Sequence, residues 1–357
     1  MRIGKYEIEK PIIQGGMGVG ISWDKLAGSV SLEGGLGVIS AVGTGYYQNK
    51  EFSKKNIQNK PYSEENFYSK EALHEIFQNA RKICGTKPLA ANILYAQNDY
   101  GRVVHDACEA GADIIITGAG IPTNMPEFTK DYPDVALIPI VSSARALKLI
   151  CKKWKRYNRL PDAVIVEGPL SGGHQGFKYD DCFKEEFQLE NIVPPVIQEA
   201  KNWGNMPIIA AGGIWDKKDI DKFLAMGCTA VQMATRFIGT YECDASESLK
   251  NVLIKADEKD IQLLKSPVGL PARGVMTNLQ KTIEDGTAPK VACISNCVAP
   301  CNRGEEAKAV GYCIADRLSA AYMGDTQTGL FFTGTNGYKV KELISVKELM
   351  EKLTNGE

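Results

Sequence analysis

The chain has 357 residues, 44% of them apolar, enough to bury a large core as one big α/β barrel or two smaller domains. Its 42 Lys and Arg balance 43 Asp and Glu, so it carries no electrostatic footprint for DNA, RNA or an anionic membrane. The opening Met1-Arg2-Ile3-Gly4-Lys5-Tyr6-Glu7 lacks a signal-peptide apolar stretch, and no run approaches the ~18 apolar residues of a membrane helix, so the expected setting is cytoplasmic.

Eight short β-branched runs follow in chain order: Pro11–Gln14, Leu36–Ser40, Leu89–Ile93, Asp113–Thr117, Ala136–Val141, Ala163–Val166, Ile208–Ala211 and Ala230–Ala234. Each is apolar almost throughout rather than alternating, the pattern of parallel strands covered on both faces. Helical stretches lie between them. In Ser69–Cys84, Leu73, Ile76, Phe77, Ala80, Ile83 and Cys84 keep a helical period and Ser69 is placed to cap the first turn. In Asp216–Met226, Ile220, Phe223 and Leu224 form one face, and Gly227 stands where a helix ends. Eight βα units in roughly 240 residues predict a (β/α)8 TIM barrel, with a doubly wound sheet as the alternative.

The segment from Gly43 to Ser69 is too long for an ordinary βα connection and reads as an excursion over the barrel top, either a lid or surface decoration. Its aromatic residues Tyr46, Tyr47, Phe52, Tyr62, Phe67 and Tyr68 are expected to pin it to the barrel. The expected organisation is a barrel over residues 1–285, including the 43–69 excursion, followed by a Cys-containing helical extension over 286–357 packed on it. Helices are expected there near Cys313–Met323 and Val346–Leu353.

In such a barrel the residues just past each strand converge on one mouth. Here they are Gln14-Gly15-Gly16-Met17, Asn92, Gly118, Glu167, Gly172-Gly173-His174, Gly212-Gly213 and Gln232 to Thr235. No second histidine or carboxylate cluster accompanies them, so no metal is expected in the mouth. Gly212, Gly213, Ala234 and Thr235 follow the seventh and eighth strands, where backbone N–H groups and the Thr235 hydroxyl could hold a phosphate monoester; the plainer reading is a tight turn. Asn92 and Glu167 could hydrogen-bond a planar heterocycle, and jointly these residues point to a phosphorylated heteroaromatic cofactor such as FMN.

His174 differs from His74 and His105, which fall on expected helices as surface or packing residues. Its neighbours Gly172, Gly173 and Gly176 leave it room to swing, and imidazole suits proton transfer near neutrality. Cys293, Cys297, Cys301 and Cys313 cluster at a spacing that fits neither zinc nor iron–sulfur patterns well, so reduced structural thiols are favoured. Cys84, Cys108, Cys151, Cys182, Cys228 and Cys243 read as core thiols; Arg236 and Arg273 could neutralise an anionic substrate or phosphate, with surface ion pairing the favoured reading.

Six ordered motifs carry a family resemblance. They are Pro11-Ile12-Ile13-Gln14-Gly15-Gly16-Met17, Gly34-Gly35-Leu36-Gly37-Val38-Ile39, Thr117-Gly118-Ala119-Gly120, Gly172-Gly173-His174-Gln175-Gly176, Ala210-Ala211-Gly212-Gly213-Ile214 and Gly227 to Phe237. Over roughly residues 8 to 280 the chain resembles the nitronate monooxygenases, formerly 2-nitropropane dioxygenases, and shares these motifs with the related FMN-dependent enoyl-ACP reductases. The resemblance implies an FMN-binding barrel in which Gln14, Gly15, Met17, Asn92, Gly118 and Glu167 line the flavin. Gly213, Ala234 and Thr235 would hold its phosphate and His174 would be catalytic. The small-molecule substrate would be an alkyl nitronate, oxidised with O₂ to a carbonyl compound and nitrite, or an enoyl thioester reduced with NAD(P)H. The tail Gly329-Leu330-Phe331-Phe332-Thr333-Gly334-Thr335-Asn336 resembles monooxygenase-like members and favours the first. A homodimer and a non-flavin phosphate-binding isomerase, lyase or binding module remain open alternatives.

Overall fold

The computed structural model describes residues 1–48, 67–287, 297–299, 301 and 311–356. A short hairpin of β1 (Arg2–Ile3) and β2 (Tyr6–Glu7) leads into β3 (Ile12–Gln14), β4 (Gly37–Ser40), β5 (Leu89–Leu94), β6 (Ile114–Gly118), β7 (Ala136–Val141) and β8 (Val164–Glu167). After the two-residue β9 (Gly173–His174) come β10 (Ile208–Ala211) and β11 (Ala230–Met233). The main sheet runs β3-β11-β10-β8-β7-β6-β5-β4, all pairs parallel. Its two ends meet where Ile13 bridges Leu36 in parallel, with the Gln14 N–H donating to the Leu36 carbonyl and the Leu36 N–H to the Ile12 carbonyl, each at 3.0 Å. The sheet is therefore an eight-stranded barrel, and each strand lies within one residue of its predicted run at either end.

Strand periodicity divides the apolar residues between two cores. Alternate residues such as Ile13, Val38, Ala90, Ile116, Ile138, Ile165 and Ile209 fill the barrel interior together with Ile3 and Ile8 of the N-terminal segment. The residues between them, among them Ile12, Ile39, Ile115, Leu137, Val166 and Val231, pack outward against the helices. The helix Lys70–Cys84 starts where the Ser69 side chain accepts from the Ala72 N–H, and buries Leu73, Ile76, Phe77 and Ala80. The helix Lys217–Ala225 is capped by Asp216, which accepts from the Asp219 N–H. These caps hold helix N-termini at the end of the barrel where the strands finish.

Beyond the barrel, β12 (Ile261–Leu264), β13 (Ala272–Val275) and β14 (Phe331–Phe332) join β9 in a small antiparallel sheet. This sheet combines a piece of the loop after β8 with segments on both sides of residue 286. The extension also contains the expected helices, Ile314–Tyr322 and Val346–Asn355. Of the 43–69 excursion, most of the residues in which a lid could lie, with Phe52 and Tyr62, fall outside the described residues. Tyr46, Phe67 and Tyr68 are buried, and the Tyr46 and Phe67 rings meet edge to face at 6.2 Å. The six scattered cysteines are buried as expected; Cys297, Cys301 and Cys313 are half-buried, and Cys293 lies outside the described residues. Among the described residues no helix is long and apolar enough to cross a membrane.

Candidate active site

The alternation that fills the barrel interior also fixes what its upper layer presents. Residues in step with Ile116, Ile165 and Ala230 are Gly118, Glu167 and Gln232, and Asn92 follows Ala90 in the same way. The glycines after β3 run across this layer: a Cβ on Gly15 would sit 3.2 Å from Gln232 Cγ, and one on Gly16 would sit 3.0 Å from Asn92 Cγ. Asn92, Glu167 and Gln232 are half-buried, and none of their side chains hydrogen-bonds another described residue. Burial alone pushes the Glu167 carboxyl up to about 7, so near neutrality it can either donate or accept.

Gln14 does not join this set. It is fully buried, its Oε1 accepts from the Val38 N–H at 3.1 Å, and its Nε2 donates to the carbonyls of Val38 and Gly15. The expected flavin-lining amide is instead a seam residue, because β3 and β4 meet through few ladder bonds and the side chain supplies what the backbone lacks. Met17 is half-buried and anchored through its N–H to Ser22 Oγ at 2.8 Å.

Past β10, Gly212 and Gly213 have φ of +100° and +84°, a region that L side chains rarely adopt. A Cβ on Gly212 would also lie 2.7 Å from the Gly168 carbonyl oxygen. The turn reading is thus satisfied, yet the turn leaves donors behind. Among the described residues the backbone N–H groups of Gly213, Ile214 and Thr235 have no partner. The Thr235 hydroxyl accepts from the Gly334 N–H at 2.8 Å, which leaves its own proton to donate.

His174 is held rather than free. Its strand β9 pairs with β13, His174 opposite Ala272 and Gly173 opposite Arg273. Its Nε2 lies 2.8 Å from Ser266 Oγ, and its ring meets Phe332 edge-on at 5.3 Å. Ser266 in turn contacts the Tyr312 phenol, which donates to the Lys265 carbonyl at 2.9 Å. Burial lowers the imidazole to about 4, so it is neutral at physiological pH. The flanking glycines therefore do not serve mobility: a Cβ on Gly172 would stand 2.6 Å from the carbonyl carbon of Thr333, so glycine is what lets the C-terminal tail pass.

Arg273 is not a surface ion-pairing residue. It is only 6% exposed, its Nη2 donates to the Pro169 carbonyl at 3.0 Å, and its Nε is buried without a partner. Its strand lies between β12 and β9, which removes it from solvent and pulls its pKa down. Arg236 lies over the Trp215 ring at 4.8 Å and donates to the Trp215 carbonyl. His105 is exposed beside Glu109, whereas the Nε2 of His74 is buried without a partner. Ser266 and Phe332 meet His174 only because β12, β13, β14 and β9 pair over long range, and Tyr312 touches Ser266 alone, so no local pattern marks any of the three.

A profile of the family described as nitronate monooxygenase matches residues 1–356. A probable nitronate monooxygenase from Staphylococcus aureus (strain N315) is 27% identical over 285 residues, covering 75% of this chain and 76% of that protein. Among solved structures, FabK from Thermotoga maritima matches with a TM-score of 0.74 at 25% identity, covering 98% of this chain and 93% of that one. Nitroalkane oxidase from Streptomyces ansochromogenes matches with a TM-score of 0.68 at 19% identity, over 98% of this chain and 96% of the other, a likeness of fold.

Proposed function

The chain belongs to the nitronate monooxygenase family, and on that premise we propose that it is a flavin-dependent oxidoreductase that binds FMN in the barrel mouth and oxidises alkyl nitronates with O₂. The observation that carries the proposal is one set of unpartnered polar groups. Asn92, Glu167 and Gln232 offer amides and a carboxyl at the mouth, while the N–H groups of Gly213, Ile214 and Thr235 lie at the ends of β10 and β11. The first group suits the alternating donors and acceptors of a flat, uncharged heterocycle; the second suits a phosphate arm. Gly15 and Gly16 let the chain after β3 pass close against the Gln232 and Asn92 side chains, where a Cβ would collide with them.

When bound, FMN supplies the capacity to take electrons from the substrate and return them to O₂. The chain's own residues bind, orient and handle protons. His174 is neutral, and its contact with Ser266 serves either tautomer. When the Ser266 hydroxyl donates to Nε2, Nδ1–H donates to the oxygens of an anionic nitronate. When Nε2–H donates to Ser266, Nδ1 is a base that removes the α-proton of a neutral nitroalkane.

A second reading, reduction of an enoyl thioester with NAD(P)H, draws on the TM-score of 0.74 with FabK, above that with nitroalkane oxidase. The purified protein should be yellow with flavin absorption bands. Nitronate-dependent oxygen consumption with nitrite release supports the first reaction, and enoyl-thioester-dependent NAD(P)H oxidation supports the second. A colourless protein that does not take up added FMN overturns both.

A further inference from the structure

Resting on the FMN reading above, we infer that the C-terminal residues Gly334 to Asn336 are the outer wall of the cofactor's phosphate site, with Asn336 a positioning residue for the phosphate monoester. One short stretch of the tail is bound to the loops that follow three barrel strands. Thr335 donates to the Leu170 carbonyl beyond β8 through both its N–H, at 3.1 Å, and its hydroxyl, at 3.2 Å. Asn336 Nδ2 donates to the Gly213 carbonyl beyond β10 at 2.7 Å. The Gly334 N–H donates to Thr235 Oγ1 beyond β11 at 2.8 Å.

Two of these bonds aim donors. In a planar trans peptide the C=O and the following N–H point in opposite directions, so holding the Gly213 carbonyl toward Asn336 directs the Ile214 N–H the other way. That N–H is one of the unpartnered donors. The Gly334 N–H occupies the acceptor side of the Thr235 hydroxyl, and thereby turns its proton outward. The close fit is written into the sequence: a Cβ on Gly334 would lie 3.1 Å from the Leu170 oxygen and 3.2 Å from Thr235 Oγ1. Each bond is worth a modest amount alone, but preorganised donors cost no reordering when an anion arrives.

The test compares FMN with riboflavin, which shares the ring but lacks the phosphate. Flavin fluorescence titration of the full-length apoprotein should show Asn336→Ala weakening FMN by roughly 5- to 20-fold, with riboflavin affinity unchanged. Asn336→Asp keeps the side-chain shape but cannot donate to Gly213, and should weaken FMN at least as much. Far-UV circular dichroism checks that both variants fold, and amide exchange at Gly334 and Thr335 should slow on adding FMN but not riboflavin. Equal losses for the two flavins, or none for FMN, overturn the tail's role while leaving FMN binding intact. Failure of the wild-type protein to bind FMN overturns the underlying reading instead.

Discussion

His174 Nε2 and Ser266 Oγ lie 2.8 Å apart, joining the loop after β8 to the turn after β12. The buried serine fixes the direction of the imidazole, and its hydroxyl serves whichever tautomer the substrate calls for. Replacing His174 with Asn should cost turnover on the order of 10²-fold or more while FMN is retained. Ser266→Ala should cost about 10-fold, because the ring loses its partner but keeps its packing on Phe332. Ser266→Thr, which restores the hydroxyl, should recover most of the rate. Steady-state oxygen consumption at saturating nitronate measures all three; a Ser266→Ala enzyme as fast as wild type would make the contact purely structural.

The same burial sets a pH signature. Because the imidazole is held down to about 4, its working neutral form persists far below the ordinary value of 6.5. The histidine limb of the activity profile should therefore lie at about pH 4 rather than at 6.5. A second limb near 7 would belong to Glu167, and the Glu167→Gln variant should lack it while keeping the lower one. The kcat/KM profile of the two proteins separates these assignments. A single limb at 6.5 in both would mean that the histidine is solvated and that another arrangement operates.

The barrel was legible because parallel strands covered on both faces must be apolar throughout, and the eight runs carried that mark without ambiguity. Asn92, Gly118, Glu167 and Gln232 follow from the same alternation once the strands are placed. The bonds of Gln14 to β4 depend on something outside local sequence: the closing pair β3 and β4 is short, and only the closed barrel shows that a side chain must finish it. The clamp on His174 was hidden likewise. A two-residue strand such as β9 has no pattern, and its partner β13 lies in a segment with no helical or strand repeat long enough to notice. Arg273 looked exposed because arginine usually is; two neighbouring strands decide otherwise.

Gly213 has two reasons to be glycine, and they predict different losses. Its φ of +84° strains any L residue, and a Cβ there would lie 3.0 Å from both Cβ and Cδ1 of Leu170. The missing side chain thus faces Leu170. Gly213→Ala should cost about 1–3 kcal/mol of stability and, by displacing the turn, lower FMN retention as well. Gly213→Val adds the bulk of a branched side chain against Leu170 and should lose more of both. Urea unfolding and flavin content after gel filtration report the two effects. An Ala variant that keeps stability and flavin would contradict the strained turn.

Glu167 makes stability depend on pH in a direction unusual for a carboxylate. Its folded value of about 7 lies above the ordinary 4.5, so between them the folded state keeps a proton that the unfolded chain has released. Its contribution is complete below the lower value and is lost as pH rises through the upper one. Glu167→Gln removes the group and should stabilise the apoprotein at pH 8 by about 1–3 kcal/mol, an allowance for its partial exposure included. For a chain of this length that corresponds to roughly 1–4 °C in Tm. At about pH 4 the two proteins should melt together. A constant gap across this range would place the effect in packing rather than in burial of the charge.

The seam offers the sharpest test of how the barrel closes. Val38 is fully buried, and its N–H and carbonyl toward β3 are satisfied by the Gln14 side chain, at 3.1 Å and 3.3 Å. Gln14→Leu preserves bulk but strands both backbone groups, at a cost of about 2–4 kcal/mol. The urea midpoint should fall accordingly with an unchanged m-value, since the same surface is exposed on unfolding. Gln14→Glu discriminates further. As a carboxylate it accepts from the Val38 N–H but cannot donate to the Val38 carbonyl; protonated, it does both. Its deficit relative to wild type should therefore shrink as pH falls, whereas that of Gln14→Leu should not. A Leu variant with the wild-type midpoint would mean that the barrel closes through Ile13 and Leu36 alone.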